Sequence, residues 1–265
     1  HKTEAFNEIL QQSPYLLISM ADQFVPKMRY TFTYQSPSSY RNPIYLQVAA
    51  SEAANILSLG YMAFGEKWSE KGKTMFKNPY AQFLKVEADF RKTWHVAEHD
   101  QLVGHISAGV VWSYGNAESS PYSEQFYVGG ANTIRAFTVR SIGPGSYYTN
   151  KSRLSYMDQP GVIKLQANIE YRTRLFGNLY GALFLDAGNV WAMHDDGYRS
   201  GSKLKPKNLL KEMALGTGIG IRYDMDFFVL RLDWGVGLHV PYKSGFYNFD
   251  HFKDSQSLHF AIGYP

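Results

Sequence analysis

Hydrophobic and polar positions alternate with period two along most of the chain, the pattern of β-strands with one apolar and one polar face. In 162–175, VIKLQANIEYRTRL, Ile163, Leu165, Ala167, Ile169, Tyr171 and Leu175 share one face, interrupted by Thr173. Lys164, Gln166, Asn168, Glu170, Arg172 and Arg174 share the other. In 227–240 an apolar row from Phe228 to Val240 backs onto a row containing Val229, Arg231, Asp233, Gly235, Gly237 and His239. Segments 84–94 and 27–35 repeat the pattern, with Lys92 breaking the apolar face of the first. The alternation predicts eleven strands: 14–21, 26–36, 43–51, 55–64, 81–95, 101–115, 162–175, 178–191, 212–223, 226–240 and 257–264. Segment 2–12 reads as a short amphipathic helix.

Many of these strands reach ten residues or more, where strands of soluble proteins average about five or six. Tilted strands of about ten residues, apolar outside and polar inside, are what a transmembrane β-barrel requires. Four charged side chains on one face of one strand, Lys164, Glu170, Arg172 and Arg174, cannot enter a dry sandwich core. Aromatic residues fall near strand ends, where a barrel places its interfacial girdles: Tyr34, Trp94, Trp112, Tyr114, Trp191, Tyr223 and Tyr264 are candidates. Connectors alternate between short, as at Phe176–Gly177 and Asp224–Met225, and long, as at 192–211 and 241–256. That asymmetry also belongs to a barrel. The predicted fold class is all-β, an antiparallel transmembrane β-barrel. An odd strand count departs from the even number of single-chain bacterial barrels and implies a missed strand or a missing N-terminal part.

Composition narrows the function classes. Aromatic residues make up 16% of the 265 residues and charged residues only 19%, too apolar a mixture for a disordered chain. No run of 18 apolar residues is present, so no transmembrane helix is expected, and the polar start HKTEAFNEILQQ shows no signal peptide. The absence of cysteine excludes disulfide scaffolds, cysteine nucleophiles and thiolate metal sites. The net charge of +4 is spread without a basic block, so no nucleic-acid partner is expected.

Between the strands at 101–115 and 162–175 lies a connection of 46 residues, 116–161. Loops beyond about 15 residues are usually functional or disordered. This one carries Gly129–Gly130, Gly143–Pro144–Gly145 and two apolar patches, which point to a folded loop. FYVGGANTIRAF followed by SIGPGSY resembles the sixth extracellular loop of the BamA/TamA outer-membrane assembly factor superfamily, which carries a Val-Arg-Gly-Phe tetrad after a Gly-Gly turn and then a Gly-Pro pair. Ile134, Arg135, Ala136 and Phe137 fall on the tetrad. NIEYRTRLFGNLYGALFLDAGNVW, GTGIGIRYDMDFFVLRLDWGVGL and SLHFAIGYP resemble the strands that follow, so the resemblance covers 126–265. Residues 14–115 fit as generic preceding strands.

The resemblance implies the C-terminal part of a sixteen-stranded barrel, with the long loop folded into the lumen. It divides the chain into an N-terminal helical or linker segment, 1–13, and an outer-membrane barrel domain, 14–265. It further implies insertion of barrel proteins into the Gram-negative outer membrane, or translocation of proteins across it. The implied partners are outer-membrane lipids, unfolded outer-membrane clients and accessory lipoproteins of an assembly complex. No cofactor or metal is implied. In the family the tetrad arginine meets acidic residues of the inner wall. Alternation supplies two: Glu170, beside Gln166, Asn168 and Arg172, and Asp186, which shares its face with Tyr180 and Phe184. Arg135 is expected to bridge them, its planar fork suiting bidentate carboxylate pairing. A solvated loop arginine is the plain alternative. Ala136 stands where the family has glycine and would disfavour a positive φ. The C-terminal strand, with Leu258, Phe260, Ile262, Gly263 and Tyr264, forms the weak seam of the family barrel, although the chain ends at Pro265 rather than at an aromatic residue. No segment of the 265 residues is expected to form the family's periplasmic POTRA modules. A passive porin-like channel and a two-partner secretion pore are the alternatives.

Catalytic signals are weak, and no enzyme is expected. His95-Val96-Ala97-Glu98-His99 matches the H-x-x-E-H pattern of inverted zinc peptidases, but that chemistry needs a helix and this stretch enters a hairpin turn. His239 and His259 fall on inner faces without a partner set, and Asp195, Asp196 and Gly197 read as a polar turn rather than a calcium loop. The stripe Ala214, Gly216, Gly218 and Gly220 lies on alternate strand positions, not at a nucleotide-binding turn, and leaves room for an inserted loop.

Overall fold

The computed structural model describes residues 21–37, 39–148 and 159–263. Nine strands form one antiparallel sheet in which every neighbour in space is the next large strand in sequence. They are β1 (Lys27–Gln35), β2 (Ile44–Ala53), β5 (Phe83–His95), β6 (Asp100–Ser113), β7 (Ile163–Phe176), β8 (Leu179–Trp191), β9 (Ala214–Asp224), β10 (Val229–His239) and β11 (Gln256–Ile262). A two-residue ladder, β3 (Thr74–Met75) with β4 (Asn78–Pro79), stands apart. The meander is an arc of barrel wall with β1 and β11 at its edges. The helix expected over 2–12 and positions 14–20 of the first expected strand lie outside the described residues.

Polarity is inverted relative to a soluble sheet. Large apolar side chains such as Phe32, Ile106, Ile169, Leu183, Ile219, Leu232 and Phe260 are exposed on the outer face. Lys85, His105, Gln166, Glu170, Asp186, Arg222, Arg231 and Asp233 are buried on the inner one. The connections at one end are short, 36–43, 96–99, 177–178 and 225–228, and those at the other are long, 54–82, 114–162, 192–213 and 240–255.

Two expectations are corrected. Segment 55–64 is not a strand; Asn55–Ala63 forms a helix, α1. Its polar residues Asn55, Ser58 and Tyr61 recur every third position, which gathers them on one side of a helix and scatters them on both faces of a strand. The Glu52 carboxylate accepts from the Asn55 N–H at 3.3 Å and satisfies one of the donors left open at the helix start. Trp191 does not join an aromatic girdle. It is fully buried, with its indole N–H donating to the Glu212 carboxylate at 2.7 Å, because the 192–213 connection folds back over it. Tyr264 lies outside the described residues.

The long loop touches the inner face of most of the sheet. Its lysine-facing residue Glu124 reaches β1 and β5, Phe126 lies against Gly109 on β6, and Ile134 to Phe137 lie against β8, β9 and β10. The sheet therefore wraps around the loop. At the long-connection end, Val128, Ile134, Ala136, Phe137 and Ile142 of the loop join Phe83, Val111, Val190, Ala214 and Val240 of the wall in one apolar core. The inner face at this end is thus apolar, where alternation alone predicts a polar wall throughout.

The luminal loop and its ion-pair cluster

The loop is built as a folded ribbon. Val128 pairs with Ile142, the Gly130 N–H donates to the Phe137 carbonyl at 2.7 Å, and the Arg140 N–H donates to the Val128 carbonyl at 3.1 Å. Gly129 and Gly130 have φ of +98° and +95°. A Cβ on Gly129 would lie 2.1 Å from the Thr138 carbonyl oxygen, so glycine is required for the two arms to close. At the tip, the Phe137 N–H donates to the Ile134 carbonyl at 3.1 Å, a tight turn that projects Arg135 and Ala136 at the wall. Gly143, φ +92°, and Pro144 form a cis peptide beside Val190, and the Gly145 N–H donates to the Val190 carbonyl at 2.7 Å.

The tip rests on a glycine platform. Gly216 pairs with Gly237 and Gly218 with Gly235 across β9 and β10. A Cβ on Gly216 would lie 2.3 Å from the Ala136 Cβ, and one on Gly235 would lie 2.3 Å from the Arg135 carbonyl oxygen. Ala136 is not among the described non-glycine residues with positive φ, which are Ala54, Phe76, Lys77, Arg140 and Asp226. The methyl group at 136 therefore needs no unusual backbone; it needs the space that Gly216 leaves.

Arg135 is fully buried. Its Nε and Nη2 donate to the two oxygens of Asp186 at 2.9 and 2.8 Å, and its backbone N–H donates to the same carboxylate at 2.9 Å. Nη1 donates to Glu170. The guanidinium lies 3.7 Å from the centre of the Phe184 ring, a cation–π contact that gives the aromatic neighbour of Asp186 its role. The structure thus brings Ile134, Arg135, Ala136, Phe137, Glu170 and Asp186 into one place. The side chains of Leu258, Phe260 and Ile262 are exposed on the outer face of β11, away from this cluster, and Gly263 follows with φ +86°.

The cluster extends beyond the residues that the sequence singles out as a site. Arg172 Nε donates to Glu170 at 2.6 Å, and Arg222 Nη2 donates to the same carboxylate at 3.1 Å. Arg222 also pairs with Asp233 at 2.6 Å, and Arg231 with Asp233 at 3.4 Å. Arg231 donates back to the loop at Asn132 Oδ1, 2.6 Å away, while Asn168 Nδ2 donates to Asp186 at 2.7 Å and to the Thr133 carbonyl at 2.6 Å. Arg222 is the residue that sequence reasoning missed. It continues the inner-facing row Ala214, Gly216, Gly218, Gly220 by one step, which is the signal that identifies it.

A second clamp holds the loop nearer its start. Lys27 Nζ on β1 lies 2.5 Å from Glu124 and Lys85 Nζ on β5 lies 3.4 Å from it. Burial pushes the Glu124 carboxyl up, but the hydrogen bond from Lys27 and the charge of Lys85 more than reverse this, leaving its pKa below the ordinary glutamate value of 4.5.

The remaining sequence motifs make turn and loop contacts. His95 ends β5 and Val96–His99 is the turn to β6; the His95 ring contacts the Arg41 carbonyl. His239 bonds the carbonyls of Gly245 and Lys211, and His259 bonds Ser257. Asp195 and Asp196 accept from Gly197 and Arg199. Among the described residues no three acidic or histidine side chains gather to hold a metal.

Comparison with known proteins follows this geometry. The Omp85 superfamily domain matches residues 69–264, about three quarters of the chain. Among solved structures, BamA from Haemophilus ducreyi lacking POTRA domains 1–3 is 14% identical with a TM-score of 0.47, over 90% of this chain and 55% of that one. CdiB from Acinetobacter baumannii is 12% identical with a TM-score of 0.37, over 89% of this chain and 41% of that one. The chain spans about half the length of these structures or less. With an antiparallel wall, a folded luminal loop and a domain match over most of its length, the chain belongs to the Omp85 superfamily.

Proposed function

We propose that this chain is the wall-and-loop portion of a Gram-negative outer-membrane factor that inserts β-barrel proteins into that membrane or moves proteins across it, without enzymatic chemistry. The observation that carries the reading is the covered inner face of the wall. A passive channel needs a water-filled bore. Here the inner wall is occupied by an apolar core above and a buried ion-pair cluster at mid-height, both completed by the loop. A wall whose inner face is covered by its own loop can still act through a sheet edge. The C-terminal strand β11 has seven residues against the eleven of β10, and it pairs only with β10 among the described residues. Leu258, Phe260 and Ile262 keep the outer-face period, so an incoming client strand can add to the ladder in the register of a barrel wall. Outer-membrane lipids, unfolded clients and accessory lipoproteins are the proposed partners. Superfamily membership supports this reading.

The test is a reversible lock. Cysteines are placed on β11 and on the strand that closes against it in the longer protein, which is then reconstituted in vesicles. Folding of an unfolded barrel client is followed by its resistance to protease. Client folding should stall on oxidation and return on reduction. Unchanged folding in the locked state refutes the seam mechanism, and a steady large conductance with no acceleration of client folding replaces it with a passive channel.

A further inference from the structure

Helix α1 is inside out. Its hydrogen-bonding side chains face the protein: Ser58 Oγ lies 2.9 Å from the Tyr80 hydroxyl, Tyr61 donates to the Thr74 carbonyl at 2.5 Å, and Asn55 Oδ1 accepts from Tyr114 at 3.0 Å. Its outward side is Ile56, Leu59, Gly60, Met62 and Ala63, continued by Phe64, with no polar side chain among them. Ile56 is 66% exposed, Leu59 57% and Phe64 90%. After this row the chain turns polar at once, with Glu66, Lys67 and Glu70. A soluble surface helix shows the opposite arrangement, and a contiguous apolar face of this kind marks contact with an apolar medium or partner.

The position of the helix identifies the medium. It follows β2 at the end where the long connections gather. Tyr114, which holds Asn55, lies edge-on to Trp112 at 5.7 Å and stacks on Trp68 at 6.4 Å. Trp112 is 55% exposed on the lipid side of β6, at the height where a barrel places its aromatic rim. The apolar row of α1 is thus tethered to the upper border of the lipid-facing band. We infer that α1 lies in the plane of the outer leaflet, with Ile56, Leu59 and Phe64 in the boundary between headgroups and acyl chains, and anchors the 54–82 connection to the membrane. Interfacial helices seat an apolar face at that depth. The inference rests on the sheet standing in a bilayer, which the test checks separately.

The chain has no cysteine, so single cysteines report cleanly. Leu59→Cys, Ile169→Cys on the outer face of β7 and Ser244→Cys in the β10–β11 connection are each labelled with an environment-sensitive fluorophore. The protein is reconstituted in phosphatidylcholine vesicles that carry a nitroxide high on the acyl chain. The labels at 59 and 169 should be quenched about threefold more than the label at 244. Quenching at 169 with none at 59 overturns the inference alone and leaves the wall in the membrane, a protein partner then being what covers α1. Absence of quenching at 169 overturns the membrane placement of the wall, and the inference with it.

Discussion

Replacing Arg135 by alanine removes the cation that Asp186 depends on. Glu170 keeps Arg172 at 2.6 Å and Arg222 at 3.1 Å, but Asp186 keeps only neutral donors, Asn168 and the backbone N–H at 135. Asp186 is fully buried, so it cannot recover the loss from water. Breaking a buried pair by removing one partner costs about 3–5 kcal/mol, equivalent to an increase of about 100- to 4,000-fold in the population of the released loop. Proteolysis measures that population when opening and reclosing are fast relative to cleavage. A protease specific for aromatic residues is suitable, because the loop sites Tyr127 and Phe137 survive the substitution. Cleavage within the loop should accelerate by at least about 100-fold in the folded variant. The pair Arg135→Met with Asp186→Leu should be cleaved more slowly than Arg135→Met alone, since removing both partners leaves no orphaned carboxylate. A cleavage rate for Arg135→Ala within about twofold of the parent refutes the reasoning, because the pair would then contribute no more than a surface ion pair.

Three further outcomes follow from the geometry. Glu170→Gln removes the negative charge shared by Arg135, Arg172 and Arg222, and it should lower the thermal midpoint of the wall itself, read as loss of the heat-modifiable folded band, where Arg135→Ala mainly frees the loop. Gly216→Ala should release the loop and Ala136→Gly should restore it, because the clash is with the methyl group at 136; Gly235→Ala should not be restored, because there the clash is with the Arg135 carbonyl oxygen, and loop proteolysis distinguishes the two. Because the folded pKa of Glu124 lies below its ordinary 4.5, its clamp contributes fully above that value and is lost as pH falls through the folded pKa; loop proteolysis should rise on acidification below 4.5, and Glu124→Gln should abolish that rise.

Period-two alternation by itself determined which side chains face the lumen, because successive residues of a strand point to opposite faces whatever the strand pairs with. Glu170 and Asp186 were legible for this reason, and Arg135 was legible as their partner through the resemblance of the loop motif. Facing is not register, however. Only the paired sheet sets Asn168 opposite Asp186, Asp186 opposite Gly216 and Gly220 opposite Asp233, and so decides which arginine meets which carboxylate. Arg222 enters the cluster through that register. The tolerance of Ala136 was likewise settled at a distance of eighty residues, by the space at Gly216. Segment 55–63 became a helix because its polar residues follow a period of three rather than two, and Trp191 disappeared beneath a connection because a long-range contact with Glu212 overrides the strand-end pattern. The apolar core at the long-connection end is also a tertiary outcome: Phe83, Val111 and Val190 sit on inner faces, and it is the inserted loop that gives them an apolar partner.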